Sequence, residues 1–141
     1  MRFLLDVNLL VALSLSHHQH HGRASQWFDE GRTWATTPLT EAAYVRLLSN
    51  PRVVGYDIAP TRAVSALSAM RGLPGHDFLP DDSSLARPVI DLGLLAGSSQ
   101  VTDFHLLNLA ASHQMRLATL DASLSRSIAE ADRRHVFLLP E

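Results

Sequence analysis

The sequence contains no cysteine and no lysine. Without cysteine the chain has no disulfide framework and no thiolate zinc site, so nothing in it indicates an oxidising compartment. Its 12 basic residues are all arginine, a bias that a GC-rich genome would equally produce, and with 14 acidic residues the net charge is −2. Proteins that bind nucleic acid through a broad basic surface carry an excess of positive charge. A phosphate-bearing substrate would therefore be held by individually placed arginines and by metal ions.

Long hydrophobic runs are also missing, because no stretch approaches the roughly 18 uninterrupted apolar residues of a transmembrane helix. The segment 1–15 superficially resembles a signal peptide, but Asp6 and Asn8 interrupt it and no small-residue cleavage site follows. At 141 residues and 46% hydrophobic composition, the chain fits one globular domain. We therefore expect a single domain spanning residues 1–141, in the cytoplasm and without membrane contact.

Short apolar runs alternate with helical patterns from end to end. The predicted strands are residues 2–5, 34–36, 76–79, 116–120 and 136–139. The predicted helices are residues 8–16, a segment ending near residue 30, and residues 38–50, 60–70, 89–95, 101–113 and 122–131. This alternation predicts an α/β fold with a mostly parallel sheet of four to five strands, covered by helices on both faces.

Four acidic residues each follow a strand-like run and precede or open a helical pattern: Asp6, Glu41, Asp103 and Asp121. The carboxyl ends of parallel strands lie along one edge of the sheet, so the four side chains are expected to converge in one cleft there. Clustered carboxylates repel one another unless a hard cation such as Mg²⁺ or Mn²⁺ lies among them. Taken singly, each could instead be a helix cap. Asp6, however, interrupts the most apolar stretch, which favours metal binding.

The segments that carry these residues resemble the PIN domain, and more narrowly the VapC-type toxin ribonucleases of bacterial toxin–antitoxin pairs. The resembling segments are Leu4-Leu5-Asp6-Val7-Asn8, Thr37-Pro38-Leu39-Thr40-Glu41 with Arg46 and Ser49-Asn50-Pro51, Val101-Thr102-Asp103-Phe104-His105-Leu106, and Leu117-Ala118-Thr119-Leu120-Asp121. They occur in order over essentially the whole chain. Phe104 departs from the small residue expected at its position, which we interpret as a packing variation.

The resemblance implies a PIN-like domain and a Mg²⁺- or Mn²⁺-dependent endoribonuclease, in which metal-activated water leaves a 5′-phosphate. It implies that Asp6, Glu41, Asp103 and Asp121 are the catalytic, metal-binding residues. It also implies supporting roles for the hydroxyl of Thr119 and for Asn8. Thr119 would share a face with Asp121 if the strand extends that far. The implied partners are an RNA substrate, a small cognate antitoxin and a second copy of the chain in a homodimer.

Other functions remain open on the sequence. The same metal chemistry could cleave DNA, since nothing in the sequence tests for a 2′-hydroxyl. A PIN-like module that binds RNA or protein without catalysis is a second alternative, although such modules typically lack part of the acidic set. A phosphatase of the haloacid-dehalogenase type needs an aspartate where this chain has Asn8, and a lysine that the chain lacks.

Several polar features have two interpretations. The histidine run at residues 17–21 is interpreted as a solvated connection, an RNA contact or a metal site, and it lacks the glutamate of an H-E-x-x-H pattern. His105 is predicted to point away from Asp103 as a partly buried histidine. Arg46 could contact a phosphate or pair with a surface carboxylate.

The predicted helix at residues 60–70 carries a stripe formed by Ala63, Val64, Leu67 and Met70. The stripe could bind a partner helix or pack in the core, and core packing is the simpler interpretation.

Overall fold

The computed structural model describes all residues 1–141 and contains one five-stranded, all-parallel sheet in the order β3-β2-β1-β4-β5. The strands are β1 (Arg2–Leu5), β2 (Thr33–Thr36), β3 (His76–Phe78), β4 (Arg116–Thr119) and β5 (Val136–Leu138). The predicted α/β class with a mostly parallel sheet of four to five strands is confirmed.

Seven α-helices connect and cover the strands: α1 (Val7–Ser14), α2 (His21–Asp29), α3 (Pro38–Leu48), α4 (Pro51–Val54), α5 (Pro60–Arg71), α6 (Val101–Ser112) and α7 (Ala122–Arg126). Two 3₁₀ segments, Ser98–Gln100 and Glu130–His135, complete the secondary structure. Proline occupies the first position of α3, α4 and α5, where its missing N–H costs nothing. None of the helices has both the length and the apolar character needed to cross a membrane.

The sheet separates two hydrophobic cores. Side chains alternate between the faces of a strand, so in β1 Phe3 and Leu5 belong to one core and Leu4 to the other. The first core includes Leu9 of α1, Trp27 of α2, Tyr44 of α3 and Ala63 of α5, and the second includes Leu106 of α6 and Leu124 of α7. β1 is thus buried on both faces, which explains its continuous apolar sequence.

The predicted helix at residues 89–95 is wrong. This segment is irregular, and it begins after Pro88 and contains Gly93. The Val89 N–H donates to Asn108 Oδ1 at 2.8 Å, and the Asp91 N–H donates to Asp132 Oδ2 at 2.8 Å. These two buried acceptors replace the intrahelical hydrogen bonds, so side chains from α6 and from the second 3₁₀ segment override the local helical pattern.

Two smaller expectations also differ from the structure. The predicted helix at residues 122–131 ends at Arg126, and the chain continues as the 3₁₀ segment Glu130–His135. The stripe on α5 is only partly a core face, because Ala63 and Met70 are buried whereas Val64 is 52% exposed. Core packing therefore accounts for part of the stripe.

The strand order creates a switch point at the centre of the sheet. The chain proceeds from β1 through β2 to β3 on one side, and then places β4 and β5 on the other side of β1. Open α/β sheets bind ligands at the carboxyl ends of the strands at such a point. The residues that follow β1 and β4 are therefore the first candidates for a functional site.

Candidate active site

Asp6 follows β1 at this switch point and is only 5% exposed. Leu5 pairs with Ala118 in the sheet, so the next residues, Asp6 and Thr119, lie side by side. The Thr119 hydroxyl donates to Asp6 Oδ2 at 2.9 Å, and the Val7 N–H donates to Oδ1 at 2.7 Å. Asp6 is thus both the N-cap of α1 and a buried carboxylate held in one orientation by a neighbouring strand.

Asp121 is joined to the same hydroxyl through its backbone. The Asp121 N–H donates to Thr119 Oγ1 at 3.0 Å, while its carboxylate Oδ1 caps α7 by accepting from the N–H and hydroxyl of Ser123. The capping interpretation is therefore correct for Asp6 and for Asp121. It does not compete with a shared site, because Thr119 connects both residues at the ends of adjacent strands.

Asp103 lies in the first turn of α6 and is half-buried. Its pKa is raised from 3.8 to about 6, first by burial and then by the negative charges of Asp6 and Asp121. The pKa of Asp6 is also raised, chiefly by burial, against the lowering effect of its hydrogen bonds from Thr119 and Val7. Asp121 contributes a smaller upward shift there. The three aspartates thus lie within electrostatic reach of one another.

A polar pocket of about 280 Å³ opens beside this group. Its lining residues are Ser99, Gln100, Asp103, Phe104, Asp121, Ser123, Leu124 and Ser127. Three larger pockets, of about 330, 400 and 440 Å³, contain none of the four acidic candidates. The small pocket has the relevant chemistry, because its carboxylates, hydroxyls and amide are oxygen donors of the kind that hard cations prefer.

Glu41 is placed differently from the three aspartates. It lies in the first turn of α3, where its Oε2 accepts from the Thr36 hydroxyl at 2.6 Å and its Oε1 is 3.5 Å from Arg71 Nη1. Neither Asp6 nor Asp103 has a pKa shift attributed to Glu41. The structure therefore brings Asp6, Asp103 and Asp121 together and holds Glu41 in a hydrogen-bonded group of its own.

The other sequence candidates occupy distinct places. Asn8 is exposed and makes no side-chain hydrogen bond, so its supporting role stays a prediction. His105 pairs with Asp81 at 2.7 Å, which agrees with the expectation that it points away from Asp103. Arg46 is exposed and forms no ion pair, so of its two interpretations the carboxylate pairing is absent and the phosphate contact stays a prediction.

Residues 17–20 of the histidine run connect α1 to α2, as predicted, and His21 is the first residue of α2. His17 contacts the Val54 carbonyl at 3.1 Å, and His21 contacts the Ala12 carbonyl at 2.8 Å. Both rings therefore attach this segment to the backbone of neighbouring helices.

The sequence alone did not single out Thr36, which bonds to Glu41. The only available signal was its place at the end of a strand, as for Thr119.

The side chains at the switch point supply carboxylate oxygens, the ligand type that a hard divalent cation prefers. None of the three aspartates forms an ion pair with arginine or histidine, so their repulsion is not compensated within the chain. No group of three or more aspartate, glutamate or histidine side chains stands in a metal-holding arrangement by itself. Mg²⁺ commonly binds through one or two carboxylates together with waters and substrate phosphates, which this open arrangement permits.

Comparison with known proteins identifies the family. The chain is 45% identical to Ribonuclease VapC39 of Mycobacterium tuberculosis over 130 residues, which cover 90% of this chain and 94% of that protein. It is also 45% identical to Ribonuclease VapC38 of the same organism, over 96% of each chain. The chain belongs to the VapC ribonuclease family. Ribonuclease VapC44, 36% identical over 99% of this chain and 100% of its own length, is a more distant VapC relative.

The fold comparison agrees with this assignment. A chain in the crystal structure of VapBC2 from Rickettsia felis, bound to a DNA fragment from their promoter, has a TM-score of 0.61 with this chain. The alignment covers 99% of this chain and 100% of that one at 13% sequence identity, so it supports the PIN-like VapC fold and not a shared ligand. A search with protein-family models finds no match.

Proposed function

We propose that the chain is a Mg²⁺- or Mn²⁺-dependent endoribonuclease that acts as the toxin of a type II toxin–antitoxin pair. The observation that carries the proposal is the aspartate group without a cationic partner at the sheet switch point, in which burial, followed by the charges of Asp6 and Asp121, raises the pKa of Asp103 to about 6. The full-length similarity to proteins named Ribonuclease VapC supports RNA as the substrate.

The proposed roles of the residues follow from their surroundings. A bound divalent cation would polarise the phosphodiester and lower the pKa of the attacking water. Asp6, fixed by Thr119, would present a carboxylate oxygen of constant direction, and Asp103 and Asp121 would complete the negative surface from α6 and from the end of β4. Glu41 would contribute from the first turn of α3, beside the end of β2. No side-chain nucleophile is required.

We further propose a small antitoxin as the protein partner, a homodimer as the assembly and the cytoplasm as the location. Exposed apolar side chains are available for such contacts, since Val89 is 60%, Leu94 53% and Val64 52% exposed. Light scattering of the purified chain would test the dimer, for which a mass of twice 15.5 kDa is expected. A monomer at all concentrations would contradict it.

The nuclease proposal is tested by incubating the purified chain with a single-stranded RNA and with DNA of the same base sequence. We expect cleavage of the RNA in Mn²⁺ or Mg²⁺, with 5′-phosphate products, and no cleavage in EDTA. Asp6→Asn should lower the rate on the order of 100-fold, the scale of losing a principal electrostatic stabiliser. The control Asp57→Asn changes an exposed aspartate that has no side-chain hydrogen bond or ion pair, so it should retain the wild-type rate.

Each alternative function predicts a different result. Equal cleavage of RNA and DNA would indicate a general nuclease. RNA binding without cleavage, under conditions in which Mn²⁺ raises the melting temperature, would support a non-catalytic module. A wild-type rate for Asp6→Asn would show that the aspartate serves only as the cap of α1.

A further inference from the structure

We propose that His76 is a positioning residue for Glu41, which it orients through the hydroxyl of Thr36. This inference rests on the proposed function, because it assigns a role to Glu41 in that reaction. The three residues come from three separate elements: Thr36 ends β2, Glu41 lies in α3 and His76 begins β3. The juxtaposition therefore depends on the folded sheet and not on local sequence.

Two consecutive hydrogen bonds join the three side chains. The Thr36 hydroxyl donates to Glu41 Oε2 at 2.6 Å, and the same oxygen lies 2.8 Å from His76 Nε2. Thr36 is 0% exposed, so water has no access to this hydroxyl in the folded chain. A buried hydroxyl with two good partners is held in one rotamer, and its partners are oriented with it.

The chemistry of the three groups determines which of them donates and which accepts in each hydrogen bond. An ionised carboxylate only accepts hydrogen bonds, so the single hydroxyl proton of Thr36 is directed to Glu41. Its oxygen must then accept from an N–H of His76 at Nε2. Burial, followed by the charge of Arg71, lowers the pKa of His76 against opposing effects of Glu41 and Asp77, so the ring is neutral at neutral pH. A neutral ring that donates from Nε2 is fixed as the Nε2–H tautomer.

The imidazole ring is itself held in place. His76 pairs with Trp34 in the β2–β3 register, and the two rings pack edge to face with centroids 4.7 Å apart. The Trp34 indole N–H in turn donates to the Pro74 carbonyl at 3.0 Å. His76 can therefore act as a fixed donor, because its ring is supported by an indole that is fully buried.

A second partner contacts the other oxygen of the Glu41 carboxylate. Arg71 Nη1 lies 3.5 Å from Oε1, and the Arg71 guanidinium also rests 4.8 Å above the Phe78 ring. Without the Thr36 hydroxyl, the attraction of Arg71 would turn the carboxylate toward α5 and the solvent. The hydrogen bonds that run from His76 through Thr36 thus determine which oxygen of Glu41 is fixed and in which direction.

A similar threonine–carboxylate hydrogen bond is found on the other side of β1. Thr119 ends β4, is 0% exposed, and donates to Asp6 Oδ2 at 2.9 Å. Thr119 accepts its second hydrogen bond from a backbone N–H, whereas Thr36 accepts from a side chain. Two buried threonines at strand ends therefore orient two carboxylates. In the second case the partner of the hydroxyl is a side chain, His76, which a substitution can remove.

The test is a double-mutant cycle on His76 and Thr36 in the full-length chain. His76→Phe keeps a ring against Trp34 and removes the N–H, whereas Thr36→Val keeps the shape and removes the hydroxyl. Each should weaken Mn²⁺ binding by about 10–100-fold, as loss of a residue that orients a metal ligand does. Mn²⁺ affinity is measured by calorimetry without substrate, and kcat and KM for RNA are measured separately. We expect kcat to fall and KM to stay near the wild-type value.

The decisive expectation is non-additivity. If His76 acts through Thr36, the double variant should bind Mn²⁺ no more weakly than Thr36→Val alone. Thr36→Ser keeps the hydroxyl that Thr36→Val removes, so it should bind Mn²⁺ with most of the wild-type affinity. The matched control His113→Phe removes a ring that pairs with Asp82 at the surface, and it should leave Mn²⁺ binding unchanged.

Two results would overturn the proposal: wild-type Mn²⁺ affinity and kcat in His76→Phe, or losses that multiply in the double variant. If His76→Phe does not fold, NMR of the wild-type imidazole nitrogens decides instead. The proposal requires the Nε2–H tautomer, with a resonance that shifts in Glu41→Gln, and an Nδ1–H tautomer would refute it. If the wild type binds Mn²⁺ but cleaves no RNA, the proposed ribonuclease function is wrong. The calorimetric double-mutant cycle would still test whether His76 positions Glu41, because it measures Mn²⁺ affinity without RNA.

Discussion

Replacing Asp103 with asparagine should stabilise the metal-free protein. In the folded chain, burial and the charges of Asp6 and Asp121 raise the pKa of Asp103 from 3.8 to about 6. At any pH above 3.8 the ionised form is therefore less favourable in the folded chain than in the unfolded chain. Asparagine keeps the size of the side chain and removes the charge, so the variant should escape this penalty.

The magnitude follows from the shift. A pKa difference of this size corresponds to about 3 kcal/mol if each unit contributes about 1.4 kcal/mol. Asp103 is only half-buried, and solvent screening reduces the stabilisation to about 1–2 kcal/mol. For a chain of 141 residues this corresponds to a rise in melting temperature of about 3–8 °C at neutral pH in EDTA.

The pH dependence has a definite sign. Between 3.8 and about 6 the folded chain retains a proton on Asp103 that the unfolded chain has lost. The wild-type chain therefore loses stability as the pH rises through this window, and the loss is complete above it. The advantage of Asp103→Asn should accordingly be largest at neutral pH and disappear below the ordinary aspartate pKa of 3.8.

The assay is thermal unfolding of both proteins in EDTA and in Mn²⁺, across that pH range. Mn²⁺ should stabilise the wild type and have a much smaller effect on the variant, because the variant lacks one of the proposed ligands. The control Asp57→Asn should show no pH-dependent difference. A variant that melts below the wild type in EDTA at neutral pH, and still gains the full Mn²⁺ stabilisation, would refute the electrostatic argument.

Three further predictions concern single groups. Thr119→Val removes the hydroxyl that orients Asp6 and should weaken Mn²⁺ binding by about 10–100-fold, and an unchanged metal titration would contradict this. Tyr44→Phe breaks the 2.7 Å hydrogen bond to Ser14 in the first core and should lower the free energy of unfolding by about 1 kcal/mol in urea denaturation without changing RNA cleavage. Gly75→Ala introduces a Cβ at a φ of +83° against a backbone carbonyl, so it should lower the melting temperature, and an unchanged melting temperature would show that the turn can adapt.

The order of strands and helices could be predicted because apolar runs and turn residues mark them locally. The segment from residue 89 to 95 could not, since its apolar side chains suggest a helix while its backbone is held by Asn108 and Asp132. Ile90 is buried in the second core, and Leu92 and Leu95 pack against that core. Long-range packing and hydrogen bonding thus replaced a local preference.

The candidate site was predictable to the extent that it follows from strand ends. Asp6 and Asp121 converge because β1 and β4 are adjacent and parallel, and Thr119 lies between them at the register that alternation requires. The surroundings of Glu41 depend on Arg71 and His76, which are at least 30 positions away along the chain, and on side-chain reach that no sequence pattern encodes. The sequence therefore indicated that Asp6, Asp103 and Asp121 lie near one another, but not that Glu41 is held apart from them or how each carboxylate is bonded.

The most direct test of the central claim is the Mn²⁺ dependence of RNA cleavage by the purified wild-type chain, measured beside Asp103→Asn and Asp57→Asn. The account predicts no cleavage by the wild type in EDTA, a saturable rise with added Mn²⁺, and the same curve for Asp57→Asn. It predicts a rate lower on the order of 100-fold for Asp103→Asn at saturating Mn²⁺. Wild-type cleavage that persists in EDTA, or a wild-type rate for Asp103→Asn, would contradict a metal-dependent ribonuclease built on these aspartates.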